Sequence, residues 1–252
     1  MTLGALSVIA LFASSAPASP RAVELIDAGA HDCTEAVPAA TSVNHLTAPD
    51  VIDLDVLLVL NGVPEADGRA VMAEAAKAFS PIGVTLSVAA VQHVTIGPTG
   101  KTAQFSGDPG VASIGSQELI DATKALVGGE RPSGIDVVYT MSAVSIADAA
   151  GRADCIGGSR WDDQAFAVGE YQVGPGNEGD SARIAAHEVA HLLGAHHHYT
   201  NCVEGAIPEA DEPDPYLTAC TLMAPDLGLV SLHLGVVEAP IVRGHAEEYV
   251  SP

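Results

Sequence analysis

The segment 187–197, which reads HEVAHLLGAHH, constrains the fold more than any other part of this 252-residue chain. The residues before it favour a helix that begins at Asp180 or Ser181, because either side chain can cap a helix N-terminus. On this helix His187 and His191 lie one turn apart on the same face, so both imidazoles can bind one metal ion. The segment therefore predicts a metal site on a helix.

The second half of the segment predicts that the chain reverses. Gly194 allows a left-handed turn that ends the helix, and the reversal brings His197 toward the two helical histidines as a third nitrogen ligand. His196 and His198 flank this residue, and a shift of register by one would let either replace it. The spacing after Gly194 favours His197, which leaves its neighbours as exposed loop histidines. Three neutral imidazoles leave a fourth position open, as in a catalytic zinc site.

These residue types point to a zinc-dependent hydrolase. Zinc lowers the pKa of a water molecule toward about 7 and polarises a substrate carbonyl. Glu188 follows His187 on the helix and can take the proton of that water and deliver it to a leaving amine, without being a ligand itself. We therefore predict one catalytic Zn²⁺, with Glu188 as the general base.

The charge of the chain excludes some partners. There are 32 Asp and Glu residues against 10 Lys and Arg, which gives a formal net charge of −22. A surface of this kind repels the phosphates of nucleic acids and anionic lipid headgroups, so neither is expected as a partner. Hydrophobic residues make up 48% of the chain, enough for the core of one domain of about 200 residues.

The N-terminus predicts export. Residues 3–13 form an apolar run of signal-peptide length, and Ala16-Pro17-Ala18 has the small-x-small spacing of a cleavage site. We expect a signal peptide over 1–18, an N-terminal segment over 19–48 that could be a short prosegment, and a catalytic domain over 49–252. No Lys or Arg precedes the apolar run, so the true start could lie upstream, and a buried N-terminal helix is the alternative. The mature protein is expected to be extracellular, without a membrane span, and monomeric by default.

The order of the predicted elements is that of an α/β fold. Strands are predicted over 51–60, 84–94 and 135–141, with helices over 66–79 and 116–127 between them. Two shorter strands are predicted over 153–158 and 165–173, before the helix that carries the histidines. Strand–helix–strand connections of this kind produce a largely parallel sheet. Beyond residue 195 the sequence shows little regular pattern.

Four cysteines, Cys33, Cys155, Cys202 and Cys220, favour two disulfides in an exported protein, with three connectivities open. An acidic loop follows the histidine segment and contains Glu204, Glu209, Asp211, Glu212 and Asp214. These carboxylates could bind Ca²⁺ or favour basic substrate residues. Their spacing lacks the D-x-D-x-D-G order of an EF-hand, which favours a solvated loop instead.

The full histidine segment resembles that of the metzincin zinc endopeptidases. The residues 220–225, CTLMAP, resemble the methionine turn of that family, with Met223 as an apolar floor beneath the zinc histidines. A Cys before this Met, a Pro after it and Cys202 just past the third His are most similar to the reprolysin (adamalysin-like) group. The resemblance covers about residues 49–225.

This resemblance implies a metzincin-type zincin. Such a fold has a mostly parallel twisted sheet with an antiparallel edge strand, an active-site helix and an irregular C-terminal subdomain with the Met-turn. A peptide or protein substrate would pair antiparallel with the edge strand, here about 153–158. The alternative is an ordinary edge strand protected by Arg152 and Asp154.

The resemblance also bears on the cysteines. A Cys202–Cys220 bond would tie the Met-turn to the third ligand and leave Cys33 to pair with Cys155. Alternatively, Cys33 could be a latency switch that occupies the open zinc position of a proenzyme. The chain departs from the reprolysins in having His198 where they have Asp, and in a longer interval before Met223. Tyr199 does not stand where some metzincins have an additional Tyr ligand.

Two functions of different classes remain. One is a secreted zinc endopeptidase, and the other is a non-catalytic secreted protein that binds zinc or a partner on the same fold. A zinc-binding module needs the histidines but has no use for the carboxylate of Glu188, so the sequence favours the peptidase. A zinc amidase that acts on a non-protein amide would share the mechanism.

Overall fold

The computed structural model describes residues 31–32, 51–103, 110–172, 179–197, 202–203, 218–219, 221–225, 231–235 and 237–250. The predicted signal peptide, most of the segment 19–48 and the acidic loop lie outside these residues. So do Cys33, His198, Tyr199 and Cys220, while Cys202 is described by its backbone alone.

The described chain alternates strands and helices. The strands are β1 (His31–Asp32), β2 (Ile52–Asn61), β3 (Val84–Val94), β4 (Lys101–Thr102), β5 (Ala112–Ser113), β6 (Val137–Ser142), β7 (Gly151–Ala153), β8 (Cys155–Ile156), β9 (Phe166–Glu170), β10 (Cys202–Val203) and β11 (Thr218–Ala219). The α-helices are α1 (Glu65–Ala75), α2 (Ser116–Val127), α3 (Asp180–Leu192) and α4 (Glu238–Tyr249).

The central sheet has the strand order β3-β2-β6-β9-β7. The first four strands pair in parallel, and β7 pairs antiparallel with β9 at the edge. This confirms the predicted α/β fold with a mostly parallel sheet and an antiparallel edge strand. β2 is buried over most of its length because helices cover both faces of the sheet, which explains its nearly continuous apolar sequence.

The sheet separates two apolar layers. On one face, α1, α3 and α4 pack together through residues that include Met72, Ile184 and Val242. On the other face, α2 packs through Leu119 and Ile120 against side chains from β2, β6 and β9. The histidine helix therefore lies directly against the sheet, in the more extensive of the two layers.

The helices between the strands begin and end close to their predicted positions. α2 has the predicted bounds, and Gly128 ends it with a φ of 100°, a conformation that glycine adopts without strain. α1 was predicted to reach residue 79. Its last turn tightens instead into a short 3-10 helix, Ala76–Ala78, and a second one, Ser80–Ile82, follows.

The edge strand was predicted too far along the chain. The segment 153–158 was expected to be one strand, but the strand of the central sheet is β7, which ends at Ala153. The chain bends at Asp154, whose carboxylate faces α2 and accepts a hydrogen bond from Lys124 at 2.6 Å. β8 then pairs in parallel with β1, and Gly158 begins a 3-10 helix. Contacts with α2 and β1, which lie far away in sequence, thus divide the predicted strand.

The C-terminal part of the chain is more regular than predicted, because it ends in α4. Pro240 and the mixed polarity of the segment obscured this helix. Pro240 lies in its first turn, where the missing N–H would have no helical partner in any case. Arg243 is buried on this helix and donates hydrogen bonds to the carbonyl groups of Ile82 and Gly83, at 2.9 and 3.0 Å. This anchors α4 to the turn before β3.

No helix in the described part of the chain is both long enough and apolar enough to cross a bilayer.

Candidate metal centre

The helix that carries the site begins at Asp180, but the capping prediction was wrong. Gly179 occupies the N-cap position, and no side chain caps the helix. The hydroxyl of Ser181 accepts a hydrogen bond from the backbone N–H of Gln172 at 2.8 Å, and Asp180 pairs with Arg183 at 2.8 Å. Both predicted capping groups are therefore engaged elsewhere, and the hydroxyl of Ser181 joins the helix to the end of β9.

The three predicted histidines converge at the end of this helix. The Nε2 atom of His187 lies 3.0 Å from those of His191 and His197, and the latter two are 3.2 Å apart. Ligand atoms of a tetrahedral zinc site with Zn–N bonds of 2.0–2.1 Å lie about 3.3 Å from one another. The spacing of the three nitrogens therefore fits one zinc ion.

Hydrogen bonds on the far side of two rings fix their tautomers. The Nδ1 atom of His187 lies 2.6 Å from the carbonyl oxygen of Leu222, and that of His191 lies 2.6 Å from the carbonyl oxygen of Ala195. A carbonyl oxygen only accepts, so each Nδ1 carries the proton and each Nε2 presents a lone pair. Lone pairs that face one another at this distance repel unless a cation lies between them, which is a second reason why the site fits a metal.

The turn at Gly194 forms as predicted. Its φ is 86°, and its N–H donates to the carbonyl of His191 at 2.9 Å. The chain then turns back and places His197 against the helical pair. His196 is exposed and does not belong to the cluster, which among the described residues consists of His187, His191 and His197.

The predicted base follows His187 on α3. Glu188 is fully buried, on the side of α3 that faces the edge strand β7. The hydroxyl of Tyr139, on β6, is also buried, and burial together with the nearby charge of Glu188 raises its pKa well above the usual value. This hydroxyl therefore stays protonated.

The segment 221–225 lies directly behind His187. Besides receiving the bond from His187, Leu222 donates its N–H to the carbonyl of His233 at 2.8 Å. The N–H of Met223 donates to the hydroxyl of Thr221 at 3.3 Å, and this hydroxyl donates to Glu238, on α4, at 3.2 Å. Met223 itself is fully buried in the same apolar layer as α3.

Sequence reasoning missed the groups that support the ligands. The carbonyl groups of Leu222 and Ala195 act through the backbone, so their residue types carry no signal. Thr221 and Glu238 lie 17 residues apart and are brought together only by the fold. Gly151 was open to detection, because a glycine inside a strand often marks a close approach by a neighbour.

Solved structures give a fold comparison. The chain is similar to an archaemetzincin from Methanopyrus kandleri, with a TM-score of 0.48 and 13% identity, over 78% of this chain and 97% of that chain. It is also similar to a zinc-dependent peptidase from Methanocorpusculum labreanum, with a TM-score of 0.42 and 13% identity, over 74% of this chain and 99% of that chain. No curated protein matches the sequence.

A family match covers the segment that builds the site. Residues 65–198 match the family described as "Metallo-peptidase family M12B Reprolysin-like". This range is more than half of the chain and includes Glu188 and all three histidines of the cluster. The chain therefore belongs to the reprolysin-like metallopeptidases of family M12B.

Proposed function

We propose that this metallopeptidase is a secreted endopeptidase in which His187, His191 and His197 hold the catalytic zinc and Glu188 is the general base. The observation that carries the proposal is the convergence of three Nε2 atoms within 3.0–3.2 Å of one another. The bonds that keep the protons of His187 and His191 on Nδ1 support it, because the opposite nitrogens are then free to coordinate.

The chemistry divides between the ion and the protein. When bound, zinc polarises the scissile carbonyl and lowers the pKa of the attacking water. The carboxylate of Glu188 accepts the proton of that water and then delivers it to the leaving amine nitrogen. Glu188 follows His187 directly on α3 and is fully buried, which supports this role because the carboxylate is held by the fold beside the proposed zinc ligands. The side chain of Met223 and its neighbours would form the floor of the site.

The edge of the central sheet is the proposed place for the substrate. β7 is the last strand of the sheet, and no strand among the described residues pairs with its outer side. Its first residue, Gly151, lies against Glu188. A peptide that adds to β7 as a further antiparallel strand would thus pass close to the base.

Export and disulfides form a second part of the proposal. β1 pairs with β8 so that His31 lies opposite Cys155, and Cys155 is buried and not a free thiol. Cys33 follows β1 directly, which supports a Cys33–Cys155 bond over a free latency thiolate. β10 and β11 pair with Cys202 opposite Thr218, which supports a Cys202–Cys220 bond. Disulfides of this kind fit an extracellular protein with the signal peptide 1–18.

The decisive experiment compares the wild type with Glu188→Ala. Both proteins are assayed on an unfolded protein substrate at low and high salt, and the zinc content of each is measured. We expect one zinc per chain in both proteins and a loss of about 10²–10⁴-fold in kcat for the variant, the usual contribution of a general base.

Two results would contradict the proposal. Full activity of Glu188→Ala would exclude Glu188 as the base. A wild type that holds one zinc per chain but cleaves nothing, even after removal of the residues before position 49, would favour the zinc-binding or partner-binding alternative.

A further inference from the structure

Two glycines lie opposite each other in neighbouring strands beneath the histidine helix. Gly151 on β7 is in register with Gly169 on β9. Neither has a positive φ, so the backbone at these positions would accept any residue. Glycine inside a strand normally weakens it by about 0.5–1 kcal/mol. The reason for the pair must therefore be the space that the missing side chains leave.

Side chains from the helix and from β6 fill this space. A Cβ atom on Gly151 would lie 2.7 Å from Oε1 and 2.9 Å from Cγ of Glu188, and 2.7 Å from Cγ2 of Ile184. A Cβ atom on Gly169 would lie 2.7 Å from the same methyl group of Ile184, and it would overlap the hydroxyl of Tyr139. Real Cβ contacts are essentially never shorter than 3.0 Å. No side chain fits at either position unless its neighbours shift.

The two positions bear on the site to different degrees. Gly151 touches the carboxylate and the stem of Glu188 itself. Gly169 acts at one remove, through Ile184, which lies one turn before Glu188 on α3. Together the glycines let the helix approach the sheet until Glu188 rests against bare backbone. On this side the position of the carboxylate is fixed by contact with the backbone of the strand, and not by contact with a flexible side chain.

We propose that Gly151 and Gly169 are positioning residues for Glu188, with Gly151 in direct contact and Gly169 supporting the helix through Ile184. This inference rests on the proposed function, in which Glu188 is the base. A base is effective only when its oxygen lies within reach of the water, and a displacement of about 1 Å can lower a rate by 10²-fold.

The test is Gly151→Ala in the zinc-loaded full chain. We expect kcat to fall by about 10–100-fold, with KM and zinc content unchanged, because the added Cβ displaces Glu188 on the helix side of β7 and leaves the backbone groups of the strand in place. Gly97→Ala is the matched control, since Gly97 is exposed, lacks a positive φ and has no neighbour within 4 Å of an added Cβ. A kcat of Gly151→Ala equal to that of the control would overturn the proposal.

Double variants separate the base from general helix packing. Asp in place of Glu188 has no oxygen at the position of Oε1, which an added Cβ would meet at 2.7 Å, so Gly151→Ala should cost less further kcat in a Glu188→Asp background than in the wild type. If the loss is instead relieved by Ile184→Ala and persists in Glu188→Asp, the glycine acts through helix packing alone and the proposal is wrong. This comparison also serves if Gly151→Ala folds poorly, because Ile184→Ala removes the methyl group at 2.7 Å from the added Cβ and leaves the contact with Glu188.

The effect of a substitution at Gly169 can be tested with a compensating change at Tyr139. Gly169→Ala should lower the melting temperature through its overlap with Tyr139, and Tyr139→Phe, which removes the hydroxyl, should restore part of it. No restoration would contradict the role of this space in the packing.

Failure of this inference can be told apart from failure of the proposed function. If Glu188→Ala abolishes activity while Gly151→Ala does not alter it, only the positioning role fails. If Glu188→Ala is fully active, the proposed function fails first.

Discussion

The proposed base and the proposed zinc ligands are held in different ways on the two sides of the site. On the sheet side, Glu188 lies against the bare backbone of Gly151, in a layer closed by the strands of the central sheet. On the C-terminal side, His187 and His191 are held by hydrogen bonds to the carbonyl groups of Leu222 and Ala195. These carbonyls belong to short segments outside the sheet, whose conformation depends on a few bonds.

The difference indicates what each side depends on. The space for Glu188 is formed by the packing of the sheet, so it should exist with or without metal. The segments behind the histidines bind to them through single hydrogen bonds, so their order should be coupled to metal binding. The base would then be preorganised by the fold, while the ligands are completed by the ion.

Removal of zinc should give the largest effect and separate the two sides. Without the cation, the lone pairs of His187 and His191 face each other at 3.0 Å, and the repulsion should loosen the segments 193–197 and 221–225. We expect complete loss of activity. Hydrogen exchange in the chelator-treated protein should show faster exchange at Leu222 and Ala195, and unchanged protection in β2 and β6. Equal loss of protection across the sheet would show that the two sides are not independent.

The sequence predicts some parts of the structure better than others, and the difference depends on whether local or distant contacts form them. The start of β3 and the end of α2 were predicted because the glycines beside them, Gly83 and Gly128, are local signals. The ligand cluster was predicted because the spacing in 187–197 encodes one helical turn and one reversal. These features depend on residues that are close in sequence.

The predictions were wrong where contacts between residues distant in sequence determine the structure. The edge strand was predicted at the wrong position because Gly151 has no strand propensity of its own and is part of the sheet only through its pairing with β9. α4 was missed because its burial depends on Arg243 and the distant turn before β3. The carbonyl partners of the histidines were unpredictable, since every residue has a carbonyl group and only the fold selects one.

Gly194→Ala should have the next largest effect, and it acts on the C-terminal side of the site, which holds the histidines. A φ of 86° costs a non-glycine residue about 1–2 kcal/mol, and the added Cβ would lie 2.7 Å from the ring of His245. We expect zinc affinity to fall by at least tenfold, measured by competition with a chelator. Gly134→Ala is the control, because its φ is 78° but an added Cβ has no neighbour within 4 Å. Equal zinc affinity in the two variants would show that strain at the turn is not transmitted to His197.

Thr221→Val should produce a smaller effect on the same side. It removes the hydroxyl that accepts from Met223 and donates to Glu238, so the carbonyl of Leu222 loses part of its support. A loss of about 1 kcal/mol corresponds to a zinc affinity lowered about fivefold. Once loaded with zinc, the variant should have an unchanged kcat, and Thr221→Ser should restore the affinity.

Thr123→Val is the matched control for this prediction on the sheet side. The hydroxyl of Thr123 is buried and bonds to that of Thr140 at 2.9 Å, and α2, which carries Thr123, packs on the opposite face of the sheet from α3. Its loss should lower the free energy of unfolding without altering zinc affinity. If Thr123→Val weakens zinc binding as much as Thr221→Val, global stability and not the local chain of bonds sets the affinity.

His245 should give the smallest effect, which appears only as a dependence on pH. Its ring is buried against Gly194, and burial lowers the pKa of the imidazole, although the charge of Glu248 raises it and those of Arg160 and His196 lower it. The unfolded chain takes up a proton near the ordinary pKa of about 6.5, whereas the folded protein does so only at lower pH. Between these values the unfolded state binds more protons, so the free energy of unfolding falls as the pH decreases below about 6.5.

Replacement of His245 by Phe keeps a ring against Gly194 and removes this titration. All other residues are the same in both proteins, so the difference between wild type and His245→Phe isolates the contribution of His245. Urea unfolding from pH 7.5 to pH 5, with a chelator present, should show a shallower decline for the variant. Parallel curves would mean that the imidazole takes up its proton in the folded state as easily as in the unfolded chain. The turn at Gly194 would then be open to water. The segments that hold the histidines would in that case be less tightly packed than the sheet side of the site.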